Sequence, residues 1–490
     1  MTVGVRLSAP RSAAVRNRLR DAFARRPSGL ATKVLCRGAL AAGITTAIVA
    51  ATNYESVRHR IGAMSLIDGW LPPVTQALTV IAFVCAVGWR SRRWRVLLVP
   101  LALVVGVTLA AWAHWYITAT GITGDGPPRT LWIWIGLTGA GAAIAVLGWR
   151  SARWWRRIAS LLAIPLCLLS CALTVNQWVS YFPTVYGAWS QLTAGPLPDQ
   201  ADRATVVAMQ RNGAVPSRGV VVSVAIPADA SKFKHRDELV YLPPAWFATT
   251  PAPRLPVIMM IGGEFNTPAD WLRVGQAART MDDFAAAHGG NSPVLVFADS
   301  GGAFNVDTEC VNGSRGNAAD HLTKDIVPYM VSDFGVSVDR ANWGVAGFSA
   351  GGTCAVDLTV MHPELFSVFL DIAGDLSPNT GTKAQTIARL FGGDPNAWAA
   401  FDPGTVMVNH GPYSGVSGWF ATVASGDAAA GDAARTLCAL GSRQGIRCAV
   451  VPGAGKHDWI FAASSFATAL PWMAGHLLTH GVPSSVRPAQ

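Results

Sequence analysis

The chain is short of charge. Of its 490 residues 14% are charged and 51% hydrophobic, where about a quarter charged is usual for a soluble globular domain. That balance excludes a fold bathed in water on every side and points to segments that face lipid. Acid is scarcest near the start: residues 1–157 hold 20 of the 39 Lys and Arg but 4 of the 29 Asp and Glu, leaving 19 bases and 25 acids for the rest. The basic excess does not make a nucleic-acid surface, because the arginines punctuate apolar runs and form no patch with interleaved aromatics. No nucleic-acid partner is expected. Also missing are CxxC and HExxH, common spacings of zinc ligands, and neither a metal nor another cofactor is expected.

What is present is a series of long apolar runs. Residues 38–53, 71–89, 96–116, 130–149 and 158–176 carry no Asp, Glu, Lys or Arg, and most approach the roughly 20 residues that a helix needs to cross the hydrocarbon core. Five spans are predicted. The first run is short and abuts Arg37, so a re-entrant or interfacial helix is its alternative. Basic residues cluster in 1–37, 90–95 and 150–157, segments that alternate correctly for five spans. The positive-inside rule puts them in the cytoplasm, with Asp68, Asp125 and everything after about Asn176 outside. This describes a multi-pass plasma-membrane protein with an extracytoplasmic C-terminal part, its first segment retained as an anchor. Gly88-Trp89-Arg90-Ser91 recurs as Gly148-Trp149-Arg150-Ser151, each copy joining two spans, and Pro72-Pro73 and Pro127-Pro128 open the preceding spans. A duplicated helical hairpin follows. With no charge inside a span, the signature of an ion pathway is missing, and the helices read as an anchor.

Residues 177–202 are a turn-rich neck, and from 203 to 490 the rhythm changes. Strands are expected at Gly219–Ile226, Glu238–Leu242, Pro256–Ile261, Pro293–Ala298, Trp343–Ala346, Phe366–Ile372, Trp419–Ser425 and Arg447–Val451, with helices near Trp271–His288, Ala318–Phe334 and Gly351–Met361. Their alternation implies a mostly parallel sheet covered on both faces. The predicted architecture is a basic tail (1–37), an all-α transmembrane bundle of about five spans (38–176), the neck, and an α/β-hydrolase domain.

Gly347-Phe348-Ser349-Ala350-Gly351 fits the nucleophile elbow, a strand-to-helix turn that needs small neighbours to close. The context supports it, with an apolar strand before and a small-residue helix after. A serine needs a base. His457, in the loop after the last predicted strand, is the candidate; His410 is its rival, while His362, His476 and His480 read as solvated helix ends. Asp427, following a predicted strand, is the candidate acid, with Asp432, Asp394 and Asp402 as alternatives and a helix N-cap as its other reading. Asp458, adjacent to His457, is expected to point elsewhere. For the oxyanion hole, the backbone N–H groups of Ala350 and Glu264 are the candidates.

With these residues placed, the last 270 or so residues resemble the putative-esterase family that includes esterase D and the antigen 85 mycolyltransferases. Val240-Tyr241-Leu242-Pro243-Pro244 resembles its early strand, Gly263 to Trp271 its post-strand loop, Gly347 to Gly352 its elbow and His457-Asp458-Trp459 its histidine motif. Asp307-Thr308-Glu309-Cys310 with Arg315-Gly316, and Asp371-Ile372-Ala373-Gly374-Asp375, resemble a membrane-bound actinobacterial subgroup. Gly262 departs from the family, many of whose members have histidine there, and Asp427 departs from the glutamate acid of the antigen 85 proteins. The resemblance implies ester chemistry on an acyl or carbohydrate ester, by hydrolysis or by transfer. The substrate expected at a membrane face is an ester-bearing lipid or glycan. Of eight cysteines, Cys36, Cys85, Cys167 and Cys171 lie in or beside the spans. The remaining four, on the predicted outer side, are expected to pair as Cys438 with Cys448 and Cys310 with Cys354, one of three possible connectivities.

Overall fold

Uncharged apolar runs satisfy their backbone polar groups internally by coiling, and that is how the apolar runs between residues 71 and 179 are built in the computed structural model. Described are residues 60–88, 90–120, 127–193, 197, 199–303, 306–424 and 428–484. The basic tail 1–37 with Cys36, the run 38–53, the loop at Asp125, Trp89 and Asp427 lie outside the described residues. Residues Met1–Met64 are one unit, described from 60 in a helical turn, and Ser65–Gln490 are another.

The second unit opens with four apolar helices. These are α1 (Leu71–Val87), α2 (Val99–Thr120, entered by a π-helical turn at Trp94–Leu98), α3 (Arg129–Gly148) and α4 (Trp154–Val179). Among the described residues three helical stretches, Trp94–Ala119, Arg129–Gly148 and Trp154–Val179, are long and apolar enough to cross a membrane. The 17 residues of α1 reach about 26 Å at 1.5 Å each, short of a core of roughly 30 Å. Helices α2 and α3 approach through small residues, as lipid-embedded helices do: a Cβ on Gly106 would lie 2.3 Å from the Gly136 carbonyl oxygen. Thr79 and Ser170 join α1 to α4 by a hydroxyl pair at 2.9 Å. The sequence repeat has a structural counterpart. Arg90 lies 4.0 Å over the Trp94 ring and donates to the Gly148 carbonyl at 3.0 Å, while Arg157 donates to the Trp149 carbonyl at 3.0 Å.

After α4 come a short helix α5 (Val185–Leu192) and a nine-stranded sheet. Its strands are β1 (Gln200–Ala201), β2 (Val220–Val224), β3 (Glu238–Leu242), β4 (Val257–Ile261), β5 (Val294–Ala298), β6 (Trp343–Phe348), β7 (Val368–Ile372), β8 (Ser417–Val423) and β9 (Arg447–Gly453), in the order β1-β2-β3-β5-β4-β6-β7-β8-β9. All pairings are parallel except those of β3 with β2 and β5. Every residue of β3 to β8 is buried, as a sheet covered on both faces requires. One cover includes α7 (Ala277–Ala287) and α11 (Trp459–His476), packing Met281, Phe466 and Met473 on the sheet. The opposite cover includes α8 (Val327–Phe334), α9 (Ala350–Met361) and α10 (Ala428–Arg443), through Met330, Val356 and Leu437. This is an α/β-hydrolase domain.

Two expected helices are broken. The stretch Trp271–His288 divides into α6 (Asp270–Arg273) and α7, because Gly275 packs on Trp271, leaving a Cβ 2.7 Å from its carbonyl oxygen, and Gln276 adopts φ 51°. Within Ala318–Phe334 a π-helical stretch, His321–Ile326, precedes Pro328, which has no N–H for the carbonyl four residues back.

Cys310 is disulfide-bonded to Cys354 and Cys438 to Cys448. The first bond closes 44 residues and ties a loop to α9, a span for which chain entropy gives about 4 kcal/mol. Replacing both Cys310 and Cys354 by alanine is therefore expected to lower the thermal midpoint of the purified protein by several degrees and to remove most of its sensitivity to reductant; an unshifted midpoint would show that the link does not restrain the domain.

Candidate active site

Strand β6 ends at Phe348 and α9 begins at Ala350. The one residue between them, Ser349, has φ 58° and ψ −125°, a conformation costing an L-residue on the order of 1–3 kcal/mol. Backbone bonds hold it: its N–H donates to the Ile372 carbonyl at 2.9 Å and its carbonyl accepts from Gly352 at 2.7 Å. The turn closes only over glycine, since a Cβ on Gly347 would lie 1.8 Å from the Gly351 carbonyl oxygen, and one on Gly351 2.4 Å from that of Ile261. The serine hydroxyl is thereby lifted off the carboxyl edge of the sheet.

His457 arrives in the loop between β9 and α11, with Nε2 3.0 Å from Ser349 Oγ. Aromatic rings support it: its imidazole is 5.0 Å from the Phe348 ring, which packs 5.3 Å from Trp459. Asp458 turns away and accepts the Phe461 N–H at 2.8 Å, capping α11. The candidate acid Asp427, between β8 and α10 in the chain, lies outside the described residues. The alternative acids are engaged elsewhere. Asp394 and Asp402 cap helices through Asn396 and Thr405, and Asp432 pairs with Arg435 at 2.6 Å on the exposed side of α10. Among the other histidines, His410 stacks on Tyr413, His362 pairs with Glu364 and His476 meets the Trp472 carbonyl.

Ala350 opens α9, where backbone N–H groups have no helical partner. The post-strand loop passes close to the serine: a Cβ on Gly263 would be 2.9 Å from Ser349 Cβ, and the Gly263 N–H is held by Asn266 Oδ1 at 2.8 Å. Glu264 follows, its side chain lining a cavity of about 670 Å³ that also holds Ser349 and His457. Two features of this cavity escaped sequence reasoning. One is an acidic wall of Glu264, Glu309 and Asp375, backed by Asp307 and Arg315. Burial, then the nearby Asp307 charge, pushes Glu264 up to about 9 against the opposing Arg315. Burial likewise lifts Glu309 well above the usual carboxylate range and Asp307 to about 6. Glu264 Oε1 and Glu309 Oε2 are buried without hydrogen-bond partners. The sequence displayed these acids only as motifs shared with relatives. The second feature is that Trp178, Val179 and Tyr181, at and beyond the end of α4, form part of the wall.

A separate buried group links β3 to the π-helical turn. Glu238 Oε1 meets His235 Nδ1 at 2.9 Å and His321 Nε2 at 3.0 Å, and His321 Nδ1 meets Asp325 Oδ2 at 3.2 Å. Two histidines and a glutamate whose donor atoms lie within 4.8 Å of one another are a set that could hold a metal, yet these separations are those of hydrogen bonds. The hydrogen bond to Glu238, partly opposed by burial, raises His235 to about 9 from 6.5. Its contribution to stability is then complete below pH 6.5 and disappears as pH rises through about 9. Compared with His235→Gln, the wild-type protein is expected to be more stable at pH 6 and to lose that margin between pH 6.5 and 9 in thermal unfolding; a margin independent of pH would contradict the charged pairing.

Comparison with known proteins follows the same division of the chain. Residues 234–445 match the family model described as Putative esterase. Over 249 residues the chain is 33% identical to an uncharacterized protein of Corynebacterium glutamicum, covering 50% of this chain and 58% of that relative's length. Similar solved structures include a ferulic acid esterase (18% identity, 53% of this chain and 99% of that one, TM-score 0.43). An S-formylglutathione hydrolase from Agrobacterium tumefaciens (15%, 54% and 97%, 0.43) and MPT51 of Mycobacterium tuberculosis (20%, 52% and 97%, 0.35) are also similar. Residues 234–445 of this chain are thus similar to the putative-esterase family, and the apolar helices lie outside the match.

Proposed function

We propose that this chain is a membrane-anchored serine esterase that hydrolyses an ester of an envelope lipid or glycan through Ser349, His457 and Asp427. The observation that carries the reading is the 3.0 Å approach of His457 Nε2 to the hydroxyl of a serine held at positive φ. His457 takes the Ser349 proton as Oγ attacks the ester carbonyl. The N–H groups of Ala350 and Glu264 receive the oxyanion. Collapse returns the proton to the leaving alcohol and leaves an acyl group on Ser349. Water, deprotonated by the same histidine, then releases the acid. Asp427 orients the imidazole and stabilises its cationic form. A non-enzymatic scaffold would have no use for the strained serine.

Anchoring completes the proposal. The three long apolar helices, together with α1 and the run 38–53, make five spans, and the odd number sends the catalytic domain outside the cytoplasm. Two disulfides suit an oxidising compartment, and they support that orientation. Lipid donors include aminoacyl lipids, glycolipids and mycolate-like esters, and the wall of Glu264, Glu309 and Asp375 beside Ser349 favours one with a polar headgroup, because carboxyls kept protonated by burial both donate and accept hydrogen bonds.

Purified full-length protein is expected to cleave p-nitrophenyl acetate and to lose about three to six orders of magnitude in turnover in Ser349→Ala or His457→Ala. Fluorophosphonate labelling that persists in Ser349→Ala would overturn the nucleophile. Envelope lipids from deletion and Ser349→Ala strains separate hydrolysis from transfer: an ester lipid accumulating in both marks a hydrolase, whereas a missing acylated product marks an acyltransferase.

A further inference from the structure

The esterase reading places a catalytic cleft near a membrane without saying how a lipid reaches it, and the end of α4 bears on that. Helix α4 runs to Val179 and stops at Ser180, which adopts a left-handed conformation, and Asn176 ties the turn by bonding both the N–H and the carbonyl of Phe182. Trp178 and Val179, the last residues of this apolar helix, line the same cavity as Ser349 and His457. One wall of the cleft is therefore the tip of a helix long and apolar enough to cross a bilayer.

That tip is fastened to the loop that shapes the cleft. Tyr181 donates its hydroxyl hydrogen to Asp270 Oδ1, Gln191 Nε2 donates to the same oxygen at 3.0 Å, and Asp270 Oδ2 accepts the Thr267 N–H at 2.6 Å. Asp270 is buried and lies three residues beyond Thr267, the end of the Gly262–Thr267 loop beside Ser349. Gln191 belongs to α5, whose Tyr186, Trp189 and Leu192 are exposed. Spaced three apart, these side chains form one apolar strip with the aromatic character favoured at the headgroup level of a bilayer.

Size limits what can enter. At about 30 Å³ per water-sized group, a cavity of about 670 Å³ holds on the order of twenty non-hydrogen atoms. Two ordinary acyl chains have about thirty carbons between them. A diacyl lipid thus fits by its headgroup and ester, not by its tails.

We propose that Trp178 and Val179 form the membrane-side rim of the substrate site, so that the substrate is a two-tailed lipid which presents its headgroup ester to Ser349 while its tails stay in the bilayer alongside α4. This rests on the esterase reading. The rim selects against esters free in water by supplying contact only to a molecule rising from the membrane, and Trp178 acts as a specificity-determining residue.

The test uses full-length protein in dioleoylphosphatidylglycerol nanodiscs. Two substrates are compared: p-nitrophenyl acetate, and a resorufin glutarate ester of dilauryl glycerol embedded in the disc. Wild type is expected to cleave both. In Trp178→Ala the ratio of kcat/KM for the embedded over the soluble ester should fall about tenfold, through KM, with partial recovery in Trp178→Phe; Val179→Ser should lower it in the same sense and serves if Trp178→Ala does not fold. An unchanged ratio in the folded variants overturns the rim, whether both rates persist or fall together. Wild type that cleaves the soluble ester alone overturns it too, leaving the esterase intact. Wild type that cleaves neither overturns the esterase reading itself.

Discussion

A serine at φ 58° and ψ −125° survives only if the surrounding backbone makes every relaxed alternative worse. Here that requirement is met from three strands at once. Ile261, Gly347 and Asp371 are paired across β4, β6 and β7, and the turn rests on their ends: Gly351 packs on the Ile261 carbonyl, and Ser349 donates to Ile372. The buried parallel register thus fixes where the hydroxyl emerges. The disulfide to Cys354 and the close approach of Gly263 are arranged around the same turn.

The next dependence runs outward. The loop that approaches Ser349 is held at its far end by Asp270, and Asp270 is held by Tyr181 and Gln191 from the segment that leaves α4. Lys456, the neighbour of His457, makes a 2.7 Å ion pair with Asp68, just before α1. That pair is exposed, where such contacts contribute about 0–1 kcal/mol, so the buried Asp270 junction is the firmer of the two. Both tie segments that flank the apolar helices to the elements that carry the chemistry, and the acidic wall completes a cleft with one apolar and one carboxyl-rich side.

Much of this was legible in the sequence because its signals are local. Alternation of β-branched runs with turns located Glu238–Leu242 to the residue and the other long strands to within two or three residues at either end. The elbow and the loop of His457 each sit within a handful of residues. Uncharged runs marked the apolar helices. What could not be read depends on distance in the chain. Nothing near Asp270 announces Tyr181, 89 residues away, and nothing in Glu264 announces Asp307 or Glu309; a carboxylate in sequence looks solvated until its fold neighbours are known. The breaks at Gly275 and in the His321–Ile326 turn arise where packing and Pro328 override a helical pattern. The 17-residue α1 shows the limit of hydropathy, which finds an apolar stretch more readily than it decides whether that stretch spans.

The central claim is that Ser349 carries the acyl group. Its most direct test is mass spectrometry of the protein, reconstituted with an aminoacyl or other ester lipid, quenched in acid within milliseconds and digested. The account predicts that the peptide containing Ser349 gains the mass of the lipid's acyl group on that serine and that the gain disappears in Ser349→Ala. Lipid consumed at the wild-type rate with no acylated serine, or with the added mass on another residue, would contradict it.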